Sequence, residues 1–376
     1  MTDITGRIAK LPLKDRAKLL SDLQRDRPTV PTRGTVSHPS DWPNAKIGLK
    51  QSANLDDLGF EEMALQPPGP GQIQVRARAI SINFRDLMIA MALYPPTPGV
   101  PSVMGSDYAG EVVACGSGVE EFSPGDRVMV LSAGDTAPDG KLLEGTHFCA
   151  VPNIWAFQAV HIPPRLNFIE AASIPTAFLT AFYGLESVAR VQGGERVLIH
   201  TATGGVGLAA IEIAQARGAE IMATAGSAAK RDYLRQRGIL QVFDSRSLDF
   251  ADQISGGVDI ILNTLSGEAV ERGLGLLRPF GRFLQIAMKD QALGETLPMS
   301  AFRLGLSFTT INLSLFLFNP SMLKQIFKEL ADGLATGIWR PTPITTFPPE
   351  KIGAALRLMS QYRHIGKIVI DLEARA

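Results

Sequence analysis

ERVLIHTATGGVGLAAIEIAQARGAEIMATAG, residues 195–226, decides the fold. Val197–His200 is short, apolar and rich in β-branched residues, the pattern of a strand buried on both faces. A Gly-rich turn follows, then an apolar helix, then a second strand over Glu220–Ala225. Working outward, AAKRDYLRQRG reads as another helix, and QVFD, VDIILNTL and GRFLQIA read as further strands. Strands and helices alternating at this spacing predict a parallel, doubly wound α/β sheet. Upstream, from about residue 46 to 165, QIQVRARAIS alternates, and SDYAGEVVACG and GDRVMVL are strand-like between turns such as PPGPG and SPGD. Downstream, PSMLKQIFKELADGLATG is helical and GKIVIDL closes with a strand. A β-rich domain interrupted by an α/β one accounts for this order.

In a dinucleotide-binding frame, ATGGVG puts Ala202, Gly204 and Gly207 where G-x-G-x-x-G is expected. Gly204 would let the backbone approach a pyrophosphate, and Gly207 would let helix and strand pack closely. The helix start at Gly204, Gly205, Val206 and Gly207 would supply N–H groups and positive dipole. The end of the second strand selects the nucleotide. A site for NAD places an acid there for the ribose 2′-hydroxyl. This chain has ATAGSAAKR, with Ser227, Lys230 and Arg231 and no acid, and Arg246 follows the next strand. Ser227, Lys230 and Arg246 suit a 2′-phosphate, so NADPH is expected. Lys230 alone would read as a solvated lysine at a helix start; the missing acid is the stronger argument.

Composition sets bounds. Thirty-seven basic residues balance thirty-seven acidic ones, so no net field points to nucleic acid or an anionic membrane. Two cysteines, Cys115 and Cys149, make neither a disulfide framework nor a four-Cys zinc site. The N-terminus lacks the apolar core of a secretory signal, and LGLSFTTINLSLFLFNP is too short and polar to span a bilayer. A cytoplasmic protein is expected. Residues 5–25 read as a short amphipathic helix and 26–43 as a Pro-rich linker, suited to a piece of a larger assembly or to a helix folded back on its own domain.

NFRD, MGSDYAGEV, PGDRVM, IPTAFLTAFYGL, TATGGVGLAA, GRFLQIAMKD and MSQYRHIGKIVI, in that order from about 46 to 372, resemble the medium-chain dehydrogenase/reductase superfamily. Within it they are most similar to the zinc-free enoyl reductase domains of modular polyketide synthases and animal-type fatty acid synthases. The resemblance implies a GroES-like substrate domain (46–170 and 315–376), a Rossmann domain (171–314) and a detached N-terminal segment (1–45). It also implies NADPH-dependent reduction of an α,β-unsaturated acyl thioester on an acyl carrier protein. Neighbouring megasynthase domains would be partners through the N-terminal segment, and the chain would be a monomer or homodimer. Where zinc-dependent members keep a Cys and a Gly-His-Glu, this chain has NFRD and GSD, so a metal-free hydride transfer is expected.

Hydride addition to the β-carbon makes an enolate, which needs donors for its oxygen and a proton for the α-carbon. By resemblance, Tyr94 matches a proposed proton donor, and Lys289 a lysine near nicotinamide and substrate. Thr180 matches a residue beside the nicotinamide. Asn83 and Asp86 are expected to brace the site or the nicotinamide's neighbourhood, and Asn263 to join the cofactor contacts. His200 is expected to be structural. Two departures stand out: Asn312 and Ser314 lie where relatives often carry an acid, and the 131–153 loop is longer than usual. The first leaves open reductive cyclopropane formation from a γ-halo enoyl thioester. A free-standing quinone or alkenal reductase fits the same residues, as does, in a different class, a non-catalytic nucleotide-binding protein.

Overall fold

The computed structural model describes Ser40, residues 45–49, Leu55 and residues 58–91, 104–132, 148–287 and 296–375. The expected helix over 5–25, the expected linker apart from Ser40, the middle of the 131–153 loop, Tyr94 and Lys289 all lie outside the described residues.

Among the described residues the strands form three sheets. β1 (Ala45–Leu49) and β2 (Leu58–Glu62) make an antiparallel pair. The second sheet holds β3 (Gln72–Ile82), β4 (Asp107–Cys115), β5 (Arg127–Leu131), β6 (Asn153–Trp155) and β7 (Ala159–His161). From the far end of the chain it also takes β14 (Ile344–Phe347) and β15 (Lys367–Asp371), in the order β14-β15-β3-β4-β5-β7 with β6 on β3. β15 returns antiparallel to β3, with Ile368 opposite Ile82. The third sheet holds β8 (Arg196–Ile199), β9 (Glu220–Ala225), β10 (Gln241–Asp244), β11 (Val258–Asn263), β12 (Leu277–Gln285) and β13 (Ser307–Thr310). Its order is β10-β9-β8-β11-β12-β13, parallel throughout. The chain steps from β8 out to β10, then fills the other side from β11. The order therefore reverses between β8 and β11, where such sheets open a ligand crevice at the carboxyl ends of the strands.

β3 shows how the sequence pattern meets the packing. Ile73, Val75 and Ala77 alternate into one core, and Ile80 and Ile82 enter the same core on the opposite parity. A register shift against β4 between Ala77 and Ala79 resets the phase.

The helices are α1 (Phe84–Ala90), α2 (Phe168–Ala172), α3 (Pro175–Phe182), α4 (Gly205–Ala216), α5 (Ala228–Gln236), α6 (Glu268–Leu276), α7 (Pro320–Thr336) and α8 (Ile352–Ser360). α3 ties the two larger sheets together. It starts on Pro175, is buried at every position but Thr176, and runs on into a π turn over Tyr183–Val188. The core around it joins Met129 and Leu131 of one sheet to Val197 and Ile199 of the other. Burying Phe178 and Leu179 contributes roughly 2–3 kcal/mol each. α7 adds Leu323, Ile326, Phe327, Leu330 and Leu334, a stripe at helical spacing. Asn319 caps its start by accepting from the Met322 N–H, and left-handed Gly337 ends it.

Candidate dinucleotide cleft and its polar junction

The Gly-rich turn leaves β8 at the reversal point. The Ala202 N–H donates to the Thr224 carbonyl (2.8 Å) and the Thr201 N–H to the Thr224 hydroxyl (3.2 Å), which fixes the turn to β9. Its three glycines have separate reasons. A Cβ on Gly207 would lie 2.5 Å from the Ala202 Cα, so the start of α4 packs too closely on the turn for any side chain. A Cβ on Gly204 would meet only the Thr201 carbonyl at 3.5 Å, an ordinary contact. Glycine there leaves the helix start open to a ligand, and no side chain caps α4. A Cβ on Gly205 would fall 2.5 Å from the Cδ of Lys367, whose stem crosses the turn. Val206 packs half-buried against the core.

At the end of β9, Ser227 caps α5 by accepting from the Lys230 N–H (3.4 Å). Arg246 lies over Gly226, where a Cβ would come 3.1 Å from its Nε. Burial and the nearby Arg246 charge push the Lys230 ammonium below its ordinary value. Asp244 is engaged elsewhere: it pairs with Arg231 (2.9 Å) and accepts from the Arg246 backbone N–H (2.9 Å). Among the described residues, neither Lys230 nor the Arg246 guanidinium has an acidic partner. Ser227, Lys230 and Arg246 are thus brought together beside the Gly-rich turn, with positive charge to spare.

A second polar cluster lies where the sheets meet. Asp107, fully buried, accepts on Oδ1 from the Thr176 N–H (3.0 Å) and hydroxyl (2.6 Å). Its Oδ2 accepts from Asn83 Nδ2 (2.9 Å) and from Lys367 Nζ (3.2 Å). Lys367, also buried, donates further to the Asn83 side-chain oxygen and to the Ile82 carbonyl (3.3 Å). The carboxylate therefore sits at the N-terminus of α3, a favourable place for negative charge, while the ammonium has three acceptors. Asp86 does separate work. It holds the Asn83 N–H (2.7 Å) and the Gly105 N–H (2.8 Å), while burial pushes its carboxyl above the ordinary value.

The remaining expected residues divide. Thr180 is buried within α3. The Asn83 amide is fully used in the junction, so its contribution is to brace. Asn263, fully buried at the end of β11, donates to the Gln285 side chain (2.6 Å) and the Leu265 carbonyl (2.8 Å) and accepts from the Leu265 N–H (3.1 Å). It shapes the crevice floor with its amide already satisfied. His200 lies between the Thr224 hydroxyl (3.1 Å) and the Phe250 ring (4.9 Å), and burial lowers it to about 3, so it is a neutral packed ring. Asn312 caps the turn after β13 by accepting from the Ser314 N–H (3.0 Å). Asp107, Thr176 and Lys367 escaped the residue-by-residue reading. GSD, IPT and GKIV are recognisable separately, but no local pattern shows that they converge.

Among the described residues no group of three or more His, Cys, Asp or Glu could hold a metal ion. No helix among them is long and apolar enough to cross a membrane.

Comparison with known proteins follows the same division. A family described as "Alcohol dehydrogenase GroES-like domain" matches residues 69–156, and one described as "Zinc-binding dehydrogenase" matches 237–370. Over 333 residues the chain is 38% identical to a phenolphthiocerol/phthiocerol polyketide synthase of Mycobacterium tuberculosis. That match covers 87% of this chain and 15% of the synthase, so the chain spans a small part of this relative's length. The crystal structure of CurK enoyl reductase is 32% identical, with a TM-score of 0.76 over 87% of this chain and 99% of that one. Escherichia coli quinone oxidoreductase complexed with NADPH is 25% identical, with a TM-score of 0.72 over 87% and 99% of the two chains.

Proposed function

The chain belongs to the medium-chain dehydrogenase/reductase superfamily, beside its enoyl reductases, and from that premise we propose that it is an NADPH-dependent enoyl-thioester reductase of polyketide-type synthesis. It is an oxidoreductase acting on a carbon–carbon bond and uses a nicotinamide cofactor. The choice of NADPH, the carrier-bound substrate and the residue roles are the proposal. One observation carries it: an open, uncapped helix start at the reversal point of the parallel sheet, flanked at the end of β9 by cations without an acid.

The bound cofactor supplies a hydride to the β-carbon of the enoyl group. The N–H groups at Gly204, Gly205, Val206 and Gly207 hold the pyrophosphate, and Ser227, Lys230 and Arg246 hold the 2′-phosphate. Asn83, Thr180 and Asn263 shape the pocket wall around the nicotinamide. Charge arriving on the thioester oxygen is met by Lys289, and Tyr94 gives its proton to the α-carbon. The proposed domains are 46–170 with 315–376 for substrate and 171–314 for cofactor, with an acyl carrier protein delivering the thioester.

The test is NADPH oxidation with a carrier-bound crotonyl thioester against a set of quinones. Turnover of the thioester alone is expected. Turnover of quinones alone would replace the proposal with a quinone reductase. Tyr94→Phe and Lys289→Met should each lower kcat by ~10²-fold or more, the scale of general-acid and oxyanion contributions.

A further inference from the structure

The C-terminal segment before β15 is laid on the nucleotide turn. The Gly366 N–H donates to the Thr203 carbonyl (2.8 Å), and Gly366 bridges Gly204. Because β8 and β9 are neighbours and Thr224 fixes the turn to β9, this segment also lies beside Ser227 and the start of α5. Lys230 and Lys367 are within electrostatic reach of the His364 ring. Burial and those two charges hold the ring at about 4, opposed by a hydrogen bond to the Leu358 backbone. Its Nδ1 is buried with no hydrogen-bond partner. The segment is also strained: two residues before His364, Tyr362 sits in left-handed backbone with φ of 52°.

Each of these features works against the docked position. Three basic side chains, Lys230, Arg246 and His364, come from three elements of the two sheets. Among the described residues the acid close by, Asp244, belongs to Arg231 and to the Arg246 backbone. Lys367 is already neutralised by Asp107. Such a site is completed by a compact dianion, which neutralises Lys230 and Arg246 and removes the repulsion that His364 meets.

We propose that a ribose 2′-phosphate fastens the 361–366 segment to the nucleotide sheet, with His364 as the positioning residue through which the segment responds to it. This rests on the NADPH reading above and goes beyond it. Recognition of the phosphate and docking of the segment that leads into β15 and Lys367 become one event. A dinucleotide without the phosphate would occupy the turn and leave the segment loose.

The experiment uses the full chain and two cofactor fragments, 2′,5′-ADP and 5′-AMP, and needs no turnover. Calorimetry gives the two affinities, and hydrogen exchange with mass spectrometry follows peptides over 359–367. The expected result is roughly tenfold or tighter binding of 2′,5′-ADP, as charge-assisted bonds to a phosphate imply, with slowed exchange over 359–367 from that fragment alone. His364→Ala should reduce the affinity ratio several-fold and abolish the differential protection, and His364→Gln should do the same if the Ala variant folds poorly. Tighter 2′,5′-ADP binding with equal exchange under both fragments would overturn this inference and leave the NADPH reading standing. Equal affinities would overturn both.

Discussion

The Gly-rich turn and the polar junction touch each other, yet they are built in opposite ways. The turn, with its strands and helix, occupies some thirty contiguous residues, and its bonds to β9 join residues 22 and 23 apart. The junction draws Asn83, Asp107, Thr176 and Lys367 from four stretches, and its longest side-chain bond joins residues 284 apart. They meet at Gly205, whose missing side chain makes room for the stem of Lys367. The lesson is that adjacent glycines in one motif can answer to different masters. Gly207 serves the helix, Gly205 serves a lysine from the other sheet, and Gly204 alone is left for a ligand.

The largest expected effect breaks the junction. Lys367→Met leaves the fully buried Asp107 carboxylate without its counter-charge and should lower unfolding free energy by about 3–5 kcal/mol. Urea denaturation measures it. Asp107→Asn combined with Lys367→Met should recover more than half of the loss, because no charge is then buried alone. A single variant within about 1 kcal/mol of wild type would mean the pair behaves as a surface ion pair, and the contrast with the turn would lose its basis.

This contrast also explains what the sequence makes legible. β9 spans Glu220–Ala225 as its pattern predicts, and β8 and α4 follow the expected strand–turn–helix order, because periodicity and turn chemistry act over neighbours. The missing acid after β9 is likewise readable, since it concerns one short stretch. That Asp107 would bind Thr176 and Lys367 is not readable, because side chains so far apart meet only when β15 returns to β3. The same limit hid the internal bonding of Asn263. A terminal Asn on a strand facing a crevice looks like a ligand contact until Gln285 and Leu265 are found to occupy its amide. Tyr94 and Lys289 rest on resemblance alone.

The next effect tests the polar group buried behind the turn. His200 has a folded value of about 3 against an ordinary 6.5, because burial disfavours its charge. Its depressed value means the contribution is complete above pH 6.5 and is lost as pH falls towards 3. Between pH 7 and 4.5 that loss is roughly 2–3 kcal/mol. His200→Gln should flatten the curve by that amount relative to wild type, which separates it from His364 and Asp86. An unchanged acid slope would show that the ring is reachable by solvent and that the turn's backing is not sealed.

Within the turn, Gly207→Ala should cost about 1–3 kcal/mol by overpacking against Ala202. Gly204→Ala should stay within about 0.5 kcal/mol in stability. It should instead weaken 5′-AMP and NADPH binding by roughly tenfold, as a side chain enters the phosphate's space. Equal thermal shifts for the two variants would erase the division of labour among the glycines.

The smallest effect probes the junction without burying a charge alone. Thr176→Val keeps the shape of the first turn of α3 and removes one of the four hydrogen bonds on Asp107, leaving the Thr176 N–H, Asn83 and Lys367 in place. A net loss of about 1 kcal/mol is expected, since the remaining donors still satisfy the carboxylate. Paired with Lys367→Met, the variant should show non-additive losses, because both side chains act on the same carboxylate. Strict additivity would mean that Asp107 sees its two partners independently, so that the junction is a set of separate contacts and not the single buried unit that distinguishes it from the turn.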